Sequence, residues 1–173
     1  MRLNKIILTG LLFIAACTNS EKAANVKTYF DISGFFTSEA KRLQAQHSSV
    51  EKQVSQNKAS EKKRLKIENW KSELELFINS DINKASWARS YKQNITDTLI
   101  EYSALEDNLK TRYIRILKSQ GKTKQISITN TASNFLYSTM EELIYCPDSI
   151  YSISKTQKVI LLGTNRYHIV GKF

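Results

Sequence analysis

Apolar residues follow two rhythms along this chain. In VKTYFDISGFFTSEAKRLQAQH, Val26, Tyr29, Phe30, Phe36, Ala40 and Leu43 recur every three or four positions with one longer step. That spacing places them on one face of a helix, predicted over about Lys27 to Gln46. Gly34 falls in its middle and costs about 1 kcal/mol relative to alanine, so a kink or a close packing contact is expected there. Next, SSVEKQVSQ and SEKKRLKI alternate only in part around Asn57-Lys58. They predict a weak hairpin, and its lysines suit a sheet edge, where charge discourages pairing with other chains. Helical period returns in IENWKSELELFINSDINKASWARSY, with Trp70, Leu74, Phe77 and Ile78 on one side. Asp81 or Asn83 is placed to cap a short following turn that carries Trp87. Both tryptophans are expected in a core between helix and sheet.

From Leu99 onward the period is two. In LKTRYIRILKSQGKTKQISITN, Ile114 and Ile116 face Ile126 and Ile128, and Ser119-Gln120-Gly121 supplies the positive dihedral of a tight hairpin. A three-residue loop brings both isoleucine pairs to one face, which a one-residue slip would undo. NFLYSTMEELIY and IYSISKTQKVILL form a second hairpin around Cys146-Pro147-Asp148-Ser149, with Pro147 presetting the first turn position. Gly163-Thr164-Asn165 then turns into a last strand, RYHIVGKF. The expected fold is α+β, with N-terminal helices packed on one face of an antiparallel β-meander. The meander has about five C-terminal strands, beside the weak N-terminal hairpin, and residues 26–173 form one domain.

The first residues follow neither rhythm. Arg2 and Lys5 precede an apolar segment, Ile6 to Ala16, broken only by Thr9 and Gly10. It is shorter than the roughly 20 apolar residues a spanning helix needs and has the layout of an export signal. Its end, Ile14-Ala15-Ala16-Cys17, resembles the lipobox of bacterial lipoproteins. That resemblance implies cleavage between Ala16 and Cys17 and diacylation of the Cys17 thiol, leaving residues 17–25 as a lipidated tether. Two or more acyl chains anchor a protein stably, at about 0.8 kcal/mol per buried methylene. Thr18-Asn19-Ser20 lacks the aspartate that marks inner-membrane retention in enterobacterial lipoproteins, and there is no acidic surface-export cluster. The expected location is the outer membrane, with the domain facing the periplasm. An ordinary secretory signal or a buried apolar strand is the alternative. The body, through WKSELELFINSDINKASWARSY and YCPDSIYSI, resembles small uncharacterised lipoproteins of the Bacteroidota, a likeness that brings no active site with it.

Composition changes this picture little. The formal net charge is +10, and loss of Arg2 and Lys5 with the signal leaves a basic mature chain. Nucleic acid is not an expected partner of an exported, tethered protein, and the charges over Glu51 to Glu75 are interleaved with acids. The densest acid-free run is Lys110, Arg112, Arg115, Lys118, Lys122 and Lys124. It is either a face for anionic lipid or an ordinary solvated strand face. With Cys17 acylated, Cys146 is the one remaining thiol, so no internal disulfide is available and a monomer held by its core is expected.

Catalytic signatures are missing: there is no histidine pair at metal spacing, no Cys-x-x-Cys, no Gly-x-Ser-x-Gly and no glycine-rich phosphate loop. Ser38 with Lys41 and Ser152 with Lys155 match Ser-x-x-Lys without its companion motifs. His47 and His168 would need the fold to bring them to a partner. Glu141 and Glu142 stand out within FLYSTMEELIY, because neighbours on a strand point to opposite faces. Glu141 then shares a face with Phe135, Tyr137, Leu143 and Tyr145, and Glu142 with Leu136, Met140 and Ile144. One of them is either a polar anchor in a ligand groove, or a sign of a bulge, an exposed face, or a short helix capped by Ser138 and Glu141. No cofactor or metal is implied. The leading expectation is a non-enzymatic binding or structural module of the envelope, meeting a protein partner or an anionic lipid surface. A carrier of an apolar ligand is the alternative, and a hydrolase the last.

Overall fold

The computed structural model describes residues 27–47 and 49–173. The signal segment, the Ala16–Cys17 cleavage pair and the tether to residue 25 lie outside them. Nine strands form one antiparallel sheet: β1 (Ser49–Gln56), β2 (Ala59–Lys66), β3 (Tyr91–Ile95), β4 (Leu99–Ala104), β5 (Thr111–Ser119), β6 (Lys122–Ser133), β7 (Tyr137–Cys146), β8 (Ile150–Val159) and β9 (Gly163–Lys172). Their order is β2-β1-β9-β8-β7-β6-β5-β4-β3. The five strands expected from Leu109 to Phe173 are β5 to β9; β3 and β4 extend the meander to seven, and the N-terminal hairpin joins it at β9 with β2 on the edge. β3 escaped the period-two reading because Tyr91 is its one buried residue.

One face of the sheet carries helix α1 (Ile32–Gln46) and two single-turn helices, α2 (Trp70–Glu73) and α3 (Glu75–Ile78). The α+β class and the one-sided helices agree with the sequence. α1 starts five residues later than its periodicity predicted, because Asp31 caps it: its carboxylate accepts from the Gly34 amide at 2.8 Å. Gly34 thus lies in the first turn, where a β-carbon would come within 2.0 Å of that carboxylate. Ahead of the cap, Tyr29 and Phe30 are held by Asn83, whose Oδ1 accepts from the Tyr29 amide at 2.9 Å and whose Nδ2 donates to the Phe30 carbonyl at 3.1 Å. Asn83 and Asp81 are occupied there, so neither caps the turn at Ala85–Trp87, which has no side-chain cap.

Aromatic rings fill the space between helices and sheet. Phe36 lies 4.6 Å from Phe77 and 5.1 Å from Tyr145 between centroids, and Trp70 stacks on Phe173 at 5.6 Å. Ile114, Ile116, Ile126, Ile128 and Leu143 floor this core. Trp70 is buried as expected; Trp87 is only half-buried at the margin, with the Lys84 ammonium 3.9 Å above its ring. Two acids tie the helices to buried tyrosines. Tyr145 donates to Glu39 of α1 at 2.5 Å, and Arg42 bridges Glu39 to Asp148 in the β7–β8 turn at 2.8 and 2.7 Å. Tyr151 donates to Glu73 of α2 at 2.7 Å, and Lys52 of β1 pairs with the same carboxylate at 2.8 Å.

The hairpins follow the predicted pairing with two corrections. Ile114 faces Ile128 and Ile116 faces Ile126, but through a two-residue turn, Gln120-Gly121, both at positive φ. A register shift past Leu117 leaves Lys124 as the extra residue, so a bulge does what the longer loop was expected to do. In the second hairpin, NFL and ILL are not strand. Asn134–Leu136 is the β6–β7 turn and Ile160–Leu162 the β8–β9 turn. Apolar runs read as strand continuations, whereas here they occupy positions normally given to Gly, Asn or Asp.

Candidate functional site

The pleat of β7 separates the two acids singled out above. Glu141 points to the helix-covered face with Leu143 and Tyr145 and is 5% exposed, whereas Glu142 lies on the opposite, open face with Met140 and Ile144. Phe135, expected beside Glu141, stands in the turn before the strand. Glu141 is neither on a helix nor on a bulge. Lys155, its cross-strand neighbour on β8, reaches it at 3.2 Å, Lys110 approaches at 4.0 Å, and the Asn130 amide donates at 3.3 Å. Asn130 also donates to the Ser80 hydroxyl at 2.8 Å, which in turn donates to the Leu76 carbonyl at 2.7 Å. The Asn130 Oδ1 has no hydrogen-bond partner. A cavity of about 20 Å³ lined by Lys110, Asn130, Thr131, Ala132, Thr139 and Glu141 adjoins this cluster. It is the size of one water molecule, too small for a ligand group. The cluster is a neutralised polar plug where the apolar core ends, since a buried carboxylate is tolerated only when paired and hydrogen-bonded.

Half of the basic run, Lys110, Arg112 and Arg115, meets acids in space. Lys110 turns to Glu141. Arg112 pairs with Asp107 at 3.0 Å and bonds the Glu106 carbonyl. Arg115 points to the open face, 3.6 Å from Glu101, whose carboxylate also accepts from Tyr113 at 2.5 Å. These three cations therefore belong to separate ion pairs and form no common anion-binding face.

The open face does contain a serine–histidine contact. Ser154 Oγ lies 2.8 Å from His168 Nδ1, and register places Glu142 beside Ser154 on its other side. In a nucleophilic triad the acid orients the histidine; here it neighbours the serine. The three residues also sit on an exposed strand face, outside any of the recesses described here. His47 caps the C-terminus of α1 in the left-handed region, at φ 50°, and lines a recess beside α1 rather than β9's open face. Burial pushes the Cys146 thiol up from its ordinary value, which lowers its thiolate fraction. Among the described residues, no three His, Cys, Asp or Glu side chains gather as metal ligands, and no helix is long and apolar enough to cross a membrane.

Two further surfaces stand out among the described residues. A shallow recess of about 560 Å³ runs between α1 and α2, lined by Thr37, Ala40, Lys41, Gln44, Ala45 and Lys71 among others. The other is the end of the sheet where the β6–β7 and β8–β9 turns meet. Phe135 is 87%, Leu161 99% and Leu162 80% exposed there, and Leu136 and Ile160 are exposed beside them. Sequence reasoning missed this patch because it assigned these residues to strands. The signal was present nonetheless: Gly163 follows ILL, as a turn-closing glycine would. No family model matches the chain, and no characterised protein or solved structure is similar enough to match it.

Proposed function

We propose that this chain is a cell-envelope lipoprotein, anchored through acylated Cys17, whose domain is a non-enzymatic binding or structural module. The observation that supports it is the filling of the helix–sheet space: Phe36, Phe77, Trp70, Tyr145, Tyr151 and Phe173 occupy the volume in which a carrier would hold its lipid. The lipobox sequence supports the anchor. The Ser154–His168 pair, with its acid on the wrong side and no cleft, offers little to a hydrolase.

One experiment separates the readings. Cells expressing the full chain are labelled with fatty acid, and the purified protein is assayed for bound lipid. Label on the wild type, none on Cys17→Ser, and no lipid beyond the covalent anchor are expected. Label persisting on Cys17→Ser removes the anchor. Stoichiometric extractable lipid replaces the module by a carrier, with the α1–α2 recess as its opening.

A further inference from the structure

Two neighbouring hairpin turns present five large apolar side chains at one end of the sheet. β7 and β8 pair up to Tyr137 and Val159, and just beyond this last pair the Ile160 amide donates to the Leu136 carbonyl at 3.0 Å. The β6–β7 turn (Asn134–Leu136) and the β8–β9 turn (Ile160–Leu162) are thereby fixed side by side. The backbone is held firmly: Asn134 Oδ1 accepts from the Leu136 and Tyr137 amides at 2.8 and 2.9 Å, and the Leu162 amide donates to the Val159 carbonyl at 3.2 Å. Leu161 sits at φ 71°, in the left-handed region that Gly and Asn enter at less cost. A leucine kept there, almost fully in water, gains nothing from the fold it belongs to.

The patch protrudes, so it suits a deformable apolar medium better than the groove-and-ridge fit of a protein partner. Its surroundings are cationic. The two turns and the neighbouring β1–β2 turn, residues 53–60, 131–140 and 156–167, contain Lys58, Lys158 and Arg166 and no Asp or Glu; the β4–β5 loop farther along this end carries Glu106 and Asp107, bonded to Ser90 and Arg112. The β1–β2 turn is clasped to them, since Asn57 donates from its backbone to the Arg166 carbonyl at 2.8 Å and accepts from the Arg166 amide at 2.9 Å. An apolar tip flanked by the exposed Lys58, Lys158 and Arg166 matches an anionic leaflet, with side chains entering the acyl boundary while cations meet headgroups. We infer that the paired turns Asn134–Leu136 and Ile160–Leu162 dock on an anionic bilayer surface. The inference rests on the reading of a membrane-tethered module and adds a second, non-covalent membrane contact to it.

The test uses the full chain reconstituted into vesicles, with Phe135→Trp as the reporter and the wild type as background for Trp70 and Trp87. With phosphatidylglycerol present, the reporter's emission shifts to shorter wavelength and is quenched by lipids brominated in the acyl chain. Both effects weaken in pure phosphatidylcholine. Adding Leu161→Asp and Leu162→Asp abolishes them while leaving circular dichroism and melting unchanged, since these side chains are exposed. A reporter still open to aqueous iodide on vesicles overturns the inference, as does quenching that survives the aspartates. A blue shift that instead follows protein concentration without lipid overturns it in favour of contact between copies. Anchoring is read separately by flotation and acyl labelling. A floating chain with a wet tip refutes the tip alone, and a quenched tip on unacylated protein refutes the anchor alone.

Discussion

Gly171 on β9 has to lack a side chain, because the Tyr151 ring occupies the place where one would begin: a β-carbon would lie 2.0 Å from the ring. We expect Gly171→Ala to push Tyr151 off Glu73 and cost about 1–3 kcal/mol, the usual penalty of overpacking, seen as a lower urea midpoint. The buried tyrosines also set the response to alkali. Burial raises Tyr145 and Tyr151 well above the ordinary phenol value, and their bonds to Glu39 and Glu73 add to it; Tyr91 is raised to about 12, again chiefly by burial. Folded tyrosines thus keep their protons where unfolded ones have lost them. Their contribution is fully present below about pH 10 and is lost as pH rises toward the folded values. Urea midpoints should fall steeply above that pH, with the phenolate absorbance that Tyr91→Phe, Tyr145→Phe and Tyr151→Phe each remove appearing together with unfolding. Ionisation of these three ahead of unfolding would contradict it. Neither the glycine nor the tyrosine–glutamate pairs could be read from sequence, since each partner lies far along the chain and nothing local announces it.

At the scale of elements, periodicity found helix α1 and the isoleucine-faced β5–β6 pair, because each is amphipathic over its own length, and the β1–β2 hairpin showed only through partial alternation around Asn57-Lys58. It failed at boundaries, where one side chain decides. Asp31 and Gly34 make the case testable. Gly34 is needed only because the Asp31 carboxylate lies against it. We expect Asp31→Ala to cost about 1 kcal/mol as a lost N-cap. Gly34→Ala should destabilise the wild type by displacing the cap, yet stabilise the Asp31→Ala variant by up to about 1 kcal/mol through helix propensity. Thermal melts of the four proteins check this, and simple additivity would contradict it. The other boundary failures, at NFL and ILL, have a different origin: there the sequence departs from turn chemistry, and such departures gather where a surface has a task beyond folding. The Glu141 site was half legible. Alternation placed the two acids on opposite faces, but Lys155, Lys110 and Asn130 come from other strands and loops, and they turn a suspected anchor into a plug.

For the molecule as a whole, the sheet order carries a consequence in time. β1 and β2 are the first strands in the chain, yet their only neighbour in the sheet is β9, the last of the nine, with Glu51 opposite Lys172. A two-stranded hairpin alone is marginal in water, and closing so long a loop is slow. The meander from β3 to β8 grows by neighbour contacts and has no such wait. Pulse-labelled hydrogen exchange during refolding should therefore show amides of β5, β6 and β7 protected first, and those of β1 together with β9 last. Early protection of β1 would contradict this order. A chain emerging from its N-terminus would have to hold a lysine-rich hairpin in readiness, unpaired, until nearly everything else had appeared. The charge that marks β2 as an edge in the finished sheet would serve first as its safeguard during that delay.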